Sequence, residues 1–233
     1  MPTTPPASPE MDRHTPGDPE IIVWDLPTRT FHWLTVALVA ACYATWRLNW
    51  MGWHALCGEA VLALLLFRLV WGFVGSDTAR FARFLASPRA ALHHLARLFT
   101  REPDAQIGHN PAGGWMVLLI LAILFGQTLT GIVDNNDVAD AGPLTDIMPP
   151  AVANQIDALH TLLWNVLLAA IAVHVITIAI YAVAKHHNLL RPMLTGRKRL
   201  TGGGAPPRLA SPVLAFCMLC GSAAVAALLA NFI

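Results

Sequence analysis

Residues 156–184 read IDALHTLLWNVLLAAIAVHVITIAIYAVA. Only Asp157 is formally charged, and the run is longer than the roughly 20 apolar residues that cross a bilayer as a helix. His160 and His174 stand fourteen positions apart in it. At about 1.5 Å per residue they lie about 21 Å apart along the axis, and fourteen steps of about 100° fall about 40° short of four turns. Both imidazoles therefore leave one face, one near each membrane surface. Ionisable groups inside a span are costly and mark function by default.

The rest of the chain follows the same pattern. Of 233 residues 55% are apolar and 12% charged, with a mean hydropathy of +0.53. That is about half the charge a soluble surface carries. The apolar residues fall into five blocks: Thr30 to Trp46, His54 to Gly75, Gly114 to Val133, Ile156 to Ala184 and Pro212 to Ile233. Continuous blocks of this length imply helices and exclude barrel strands. The expected fold is an all-α membrane protein, a four-helix transmembrane bundle with a fifth C-terminal transmembrane helix. Its expected divisions are a disordered tail (1–20), the bundle (21–187), a basic Gly-rich linker (188–209) and the fifth helix (210–233). The tail has no basic stretch leading into an apolar core, so the first span is expected to act as the insertion signal. Ser87 to Thr100 reads as an interfacial amphipathic helix.

Thirteen of the fifteen Lys and Arg fall in the tail, in 76–113 and in 185–209, which alternate to one side. The positive-inside rule makes that side cytoplasmic and the C-terminus periplasmic. The 134–155 loop holds Asp134, Asp137, Asp140 and Asp146 without Lys or Arg, as suits the external side. Near-neutral net charge names no partner, and no nucleic acid is expected. Cys42, Cys57, Cys217 and Cys220 lie in or beside apolar blocks; Gly221 follows the Cys217–Cys220 pair where covalent haem attachment needs a histidine.

Two more histidines stand at span mouths. His32 is near the cytoplasmic start of the first span and His54 opens the second externally. Depth pairs His32 with His174 and His54 with His160. Two stacked porphyrins in one four-helix bundle suit this placement, each held by one histidine of the fourth helix.

The motifs carry a resemblance as well. Trp24-Asp25-Leu26-Pro27-Thr28-Arg29-Thr30-Phe31-His32-Trp33-Leu34 resembles the R-x-F-H-W-L opening of the bacterial cytochrome b561 and nickel-iron hydrogenase cytochrome b family. His54, Gly58 and Arg68 are similar to that family's second helix, Gly108-His109-Asn110-Pro111 to a motif of its shorter members, and L-H-x13-H to its fourth helix. The resemblance covers about residues 21–187. It implies two bis-histidine b haems and electron flow between a quinone pool and an external or peripheral partner, a cytochrome c or a dehydrogenase or hydrogenase subunit.

Arg29 and Arg68 are expected to meet propionates of the cytoplasmic haem and Arg47 those of the external one. Gly58 would let a porphyrin approach its helix, and Glu59 or Asp157 could orient an imidazole. His93, His94, His186 and His187 are expected to be solvated or near lipid headgroups, and His109 to position the third span or contact a quinone. The bacterial inner membrane is the expected location, with lipid as a standing partner. The alternatives are a superoxide:quinone oxidoreductase, which would need a basic external patch, and a haem-free histidine-lined metal transporter, which would need converging carboxylates or thiolates.

Overall fold

The computed structural model describes residues 20–97, 100, 106–133, 148–199 and 205–232. Asp134, Asp137, Asp140 and Asp146, expected on the external side, most of the tail and Gly202–Gly204 lie outside them. A strand β1 (Glu20–Ile22) leads into α1 (Leu26–Arg47) and α2 (Met51–Val74). A 3-10 turn (Asp77–Ala79) and two short helices, α3 (Phe81–Phe84) and α4 (Pro88–Ala96), precede α5 (Pro111–Val133) and α6 (Pro150–Ala184). α7 (Leu190–Thr195), β2 (Arg197–Arg199) and α8 (Pro212–Phe232) complete the chain.

The helix starts have local causes. Asp25 accepts the Thr28 amide N–H at 2.8 Å and Pro27 occupies the first turn, so α1 begins four residues before the apolar run. Pro150 starts α6 in the same way, six residues before Ile156. His160 therefore sits in the third turn of a 35-residue helix rather than opening it. Ser87 caps α4 by accepting the Ala90 N–H at 3.2 Å.

Among the described residues, four helices are long and apolar enough to cross a membrane: α2, α5, α6 and residues Pro212–Ala230 of α8. α1 has 22 residues, but Arg29, His32, Arg47 and four threonines make it less apolar. Apolarity thus marks four of the five expected spans, and the first is the polar one. With lipid as apolar as leucine, side-chain packing must hold the helices together. Val61 and Leu65 of α2, Phe81 and Phe84 of α3, Leu121 and Leu124 of α5, and Leu167 of α6 form the main cluster, with Phe31 and Leu38 of α1 against it. α6 packs chiefly on α5, where Gly126 and Gly131 leave room for Leu163 and His160: a Cβ would come within 3.1 and 2.9 Å of them.

The stretch read as a linker departs from that reading. β2 pairs antiparallel with β1, Glu20 opposite Arg199 and Ile22 opposite Arg197. Gly196, at φ +80°, closes α7 against Trp24 and Arg29; a Cβ there would sit 2.7 Å from the Arg29 guanidinium and 2.8 Å from the Trp24 carbonyl. Nor is the last helix detached. Ala215 shares a buried cluster with Phe67, Trp71 and Ala79, and Ser222 and Ala226 continue the buried stripe of α8. Its entry is pinned where Ser76 accepts the Ala210 N–H at 2.9 Å and Asp77 the Arg208 N–H at 3.1 Å.

Candidate functional site

Polar side chains gather at two levels of the bundle. At the level of the α1–α2 turn, the His54 and His160 ring centres are 6.4 Å apart with planes at 75°. His54 Nδ1 lies 2.9 Å from the Cys42 carbonyl. A carbonyl only accepts, so Nδ1 carries the proton and Nε2 keeps its lone pair. His160 Nδ1 lies 3.0 Å from Thr130 Oγ1, whose own proton points to the Gly126 carbonyl at 2.8 Å. Thr130 therefore accepts from Nδ1–H, and the His160 Nε2 lone pair takes the Gln127 amide N–H at 2.9 Å.

Two neutral imidazoles in one tautomer, each steadied through Nδ1, form the usual arrangement of metal-ligating histidines. Metal–nitrogen bonds of about 2 Å, with about 1 Å more to each ring centre, put trans imidazoles about 6 Å apart. The pair fits a bis-imidazole iron porphyrin. Gln127 is the one competitor, because it uses the same lone pair; its own Oε1 is buried without a partner. Gly58 stands one turn beyond His54, half-buried, and a Cβ there would meet nothing within 4 Å. Glu59 and Asp157 are not the groups holding the Nδ1 atoms, although Asp157 is within electrostatic reach of His160. Arg47 is exposed at the end of α1, its guanidinium 5.8 Å from the Trp46 ring centre.

The second level lies toward the start of α1. His32 and His174 interact electrostatically, and His109 feels both of them and Arg68. The His109 ring stands between Trp24 and Phe84, at 4.6 and 4.7 Å between centres. Burial, and after it the Arg68 cation, pushes the His109 pKa down to about 3. Arg68, only 2% exposed, donates through Nη2 to the Ala79 carbonyl at 3.1 Å and lies 4.9 Å over the Phe81 ring. Asp25 faces it electrostatically while accepting from Trp71 Nε1 at 3.2 Å.

His32 Nδ1, His109 Nδ1 and Arg68 Nη1 are all buried without a hydrogen-bond partner. One such group costs about 1–3 kcal/mol, so three in one neighbourhood mark a place shaped for a polar ligand. A porphyrin bearing carboxylates fits this donor set. Arg29 points elsewhere: its Nη2 donates to the Leu194 carbonyl at 2.7 Å, tying α1 to α7, although its Nε is buried without a partner.

Four residues outside the sequence-derived set belong to these two levels. Gln127, Thr130 and Gly131 surround His160 from α5. Gln127 is the sole carboxamide in an otherwise apolar helix, which is the signal that singles it out. Tyr181 extends the stripe of His160, Leu167 and His174 by one more step of seven, and is 5% exposed. It binds His94, which is half-buried rather than simply solvated.

The sequence model of a protein family described as prokaryotic cytochrome b561 matches residues 23–196. No curated protein matches the chain.

Proposed function

The chain belongs to the prokaryotic cytochrome b561 family, whose members are b-haem membrane electron-transfer proteins, and from that premise we propose that it carries electrons across the bilayer through two bis-histidine haems. The haems would supply one-electron chemistry, at potentials set by axial ligands, hydrogen bonding and burial. His54 and His160 would hold one and His32 and His174 the other. Cys42 and Thr130 keep Nδ1 of the first pair protonated, so Nε2 is the nitrogen that would bind iron, with Gln127 giving way at His160. Arg68 and His109 would receive propionates at the second level, with Arg29 at its rim. Gly58 leaves space beside α2 for a ring edge. Arg47 would meet the outer haem from the interface.

The single observation that supports this most directly is the His54–His160 pair, on separate helices with ring centres 6.4 Å apart and matched tautomers. A histidine-lined metal transporter needs three or more converging donors. Among the described residues no such group of His, Cys, Asp and Glu occurs.

The basic residues at the His32 end, Arg80, Lys185, Arg191, Arg197 and Lys198 among them, favour a cytoplasmic position for that end in a bacterial inner membrane and a periplasmic one for the His54 end. Electrons would enter or leave outside through a cytochrome c or a dehydrogenase or hydrogenase subunit, and exchange with quinone at the cytoplasmic level. The test is a pyridine haemochrome assay on protein purified in mild detergent. Two b haems per chain are expected, falling to one when His160 or His174 becomes Ala. A haem-free protein after expression with ample haem would end this reading.

A further inference from the structure

α1 and α2 meet along a seam that runs past the His54 level. Thr28 and Thr35, the buried residues of α1, step by seven to Cys42. Leu64 and Trp71, buried on α2, step back by seven to Cys57. Seven residues are nearly two turns, so each cysteine continues the stripe that its helix buries. The depths match as well. The turn between the helices is tight, with the Trp50 N–H donating to the Thr45 carbonyl at 2.8 Å. Cys42 lies five residues before Arg47, the end of α1, and Cys57 six after Met51, the start of α2. In a helical hairpin that puts them within about 1.5 Å of one level. Both are free and half-buried, and their thiols are within hydrogen-bonding reach of each other. The haem reading uses neither thiol; it uses only the Cys42 carbonyl, which holds His54 Nδ1.

We propose that Cys42 and Cys57 are a peroxide-oxidisable dithiol that closes to a disulfide joining α1 to α2 beside His54. Facing thiols at one depth are what a disulfide needs, because cysteines that point apart cannot be bridged without backbone movement. Hydrogen peroxide is small and uncharged, so it reaches a half-buried seam without a binding pocket. One sulfur attacks a peroxide oxygen; an S–O bond forms, the O–O bond breaks and one water leaves, giving a sulfenic acid. The other sulfur attacks the sulfenic sulfur; the S–S bond forms, and the oxygen leaves as a second water with the second thiol's proton. Two thiols are oxidised and one peroxide is reduced to two waters. A dithiol reductant reverses the step by exchange. The bond fixes the backbone that carries the Cys42 carbonyl, and so keeps the acceptor of His54 Nδ1 in place.

The experiment needs no haem and no turnover. Full-length protein in mild detergent is treated with hydrogen peroxide, its free thiols are alkylated, and the digested chain is mapped by mass spectrometry. Cys42 and Cys57 should leave the alkylated pool together, as one linked pair of peptides lighter by two hydrogens. Dithiothreitol should return both. Cys217 and Cys220, exposed on α8, report in the same sample how accessible thiols react. Cys42→Ser and Cys57→Ser should each abolish the linked pair, and in one of them dimedone should trap the remaining sulfur as a sulfenic acid. The linked protein should also melt at a higher temperature than the reduced one, a difference that Cys42→Ser removes. The wild-type chain carries the mapping by itself, so the test stands even where a variant fails to fold. Cys42 and Cys57 surviving peroxide that consumes Cys217 and Cys220 would overturn the proposal. So would their oxidation to sulfinic or sulfonic acids without linkage.

Discussion

The two levels of the bundle are built on opposite principles. Around His54 and His160 every Nδ1 has a fixed oxygen partner, supplied by the Cys42 carbonyl and Thr130. Around His32 and His174 the protein leaves His32 Nδ1, His109 Nδ1 and Arg68 Nη1 buried and unpaired. Apart from the buried, unpartnered Gln127 Oε1, the first level is finished by short-range bonds between α1 and α2 and between α5 and α6. The second is closed by aromatic walls, Trp24 and Phe84 on His109 and Phe81 under Arg68, which exclude water without satisfying donors. A site of the first kind holds its geometry unaided. One of the second kind needs its ligand to offset the desolvated groups, and there ligand binding and stability should be coupled.

That contrast can be broken most severely at Arg68. Arg68→Ala strips the Ala79 carbonyl and the Phe81 ring of their buried partner and leaves a cavity. A loss on the order of 2–4 kcal/mol is expected, read as a lower melting temperature in detergent. An unchanged melting temperature would mean that the second level does not depend on its cation. Thr130→Val sharpens the other side. With the acceptor of His160 Nδ1 gone, the tautomer is no longer fixed, and haem at that level should be held about 10–100-fold more weakly in extraction assays. Spectra of the His174 level should not change.

Acid separates the levels more gently. His109 is held at about 3, below its ordinary value near 6.5, so the unfolded chain binds the extra proton first as pH falls. Its contribution to stability is whole above about pH 6.5 and is lost progressively toward pH 3. His109→Gln should flatten the fall in melting temperature between pH 7 and 5; an identical slope would remove His109 from the account. The smallest effect belongs to Glu20, whose contacts with Arg191 and Arg197 at 4.0 and 3.7 Å are well exposed. Glu20→Ala should cost less than about 0.5 kcal/mol, because β1 is held to β2 by backbone pairing. A larger loss would show the strap over the second level to be ionic.

Much of the arrangement was legible because a helix repeats. The spacing of His160 and His174 gives their common face whatever packs against them, and the next step of seven reaches Tyr181. Helix ends were less legible where proline, not apolarity, starts the helix, as at Pro27 and Pro150. The stretch 188–209 misled because Gly and basic residues read as a linker. The pairing of Lys198 with Ile21 joins residues far apart in the chain, and no local pattern encodes it. His94 looked solvated for the same reason: its partner Tyr181 lies 87 positions away.

By itself the sequence determined what periodicity and composition carry: helices in a membrane, and two histidines on one face of the fourth. Only the tertiary structure decided which atoms finish each site. The Cys42 carbonyl, Thr130, Gln127 and Asn110 act across helix interfaces, through bonds of about 3 Å whose direction is set by how whole helices pack. A hydrogen bond is short-ranged and directional, whereas a hydrophobic stripe is neither, so the stripe can be read along the chain and the bond only in the fold.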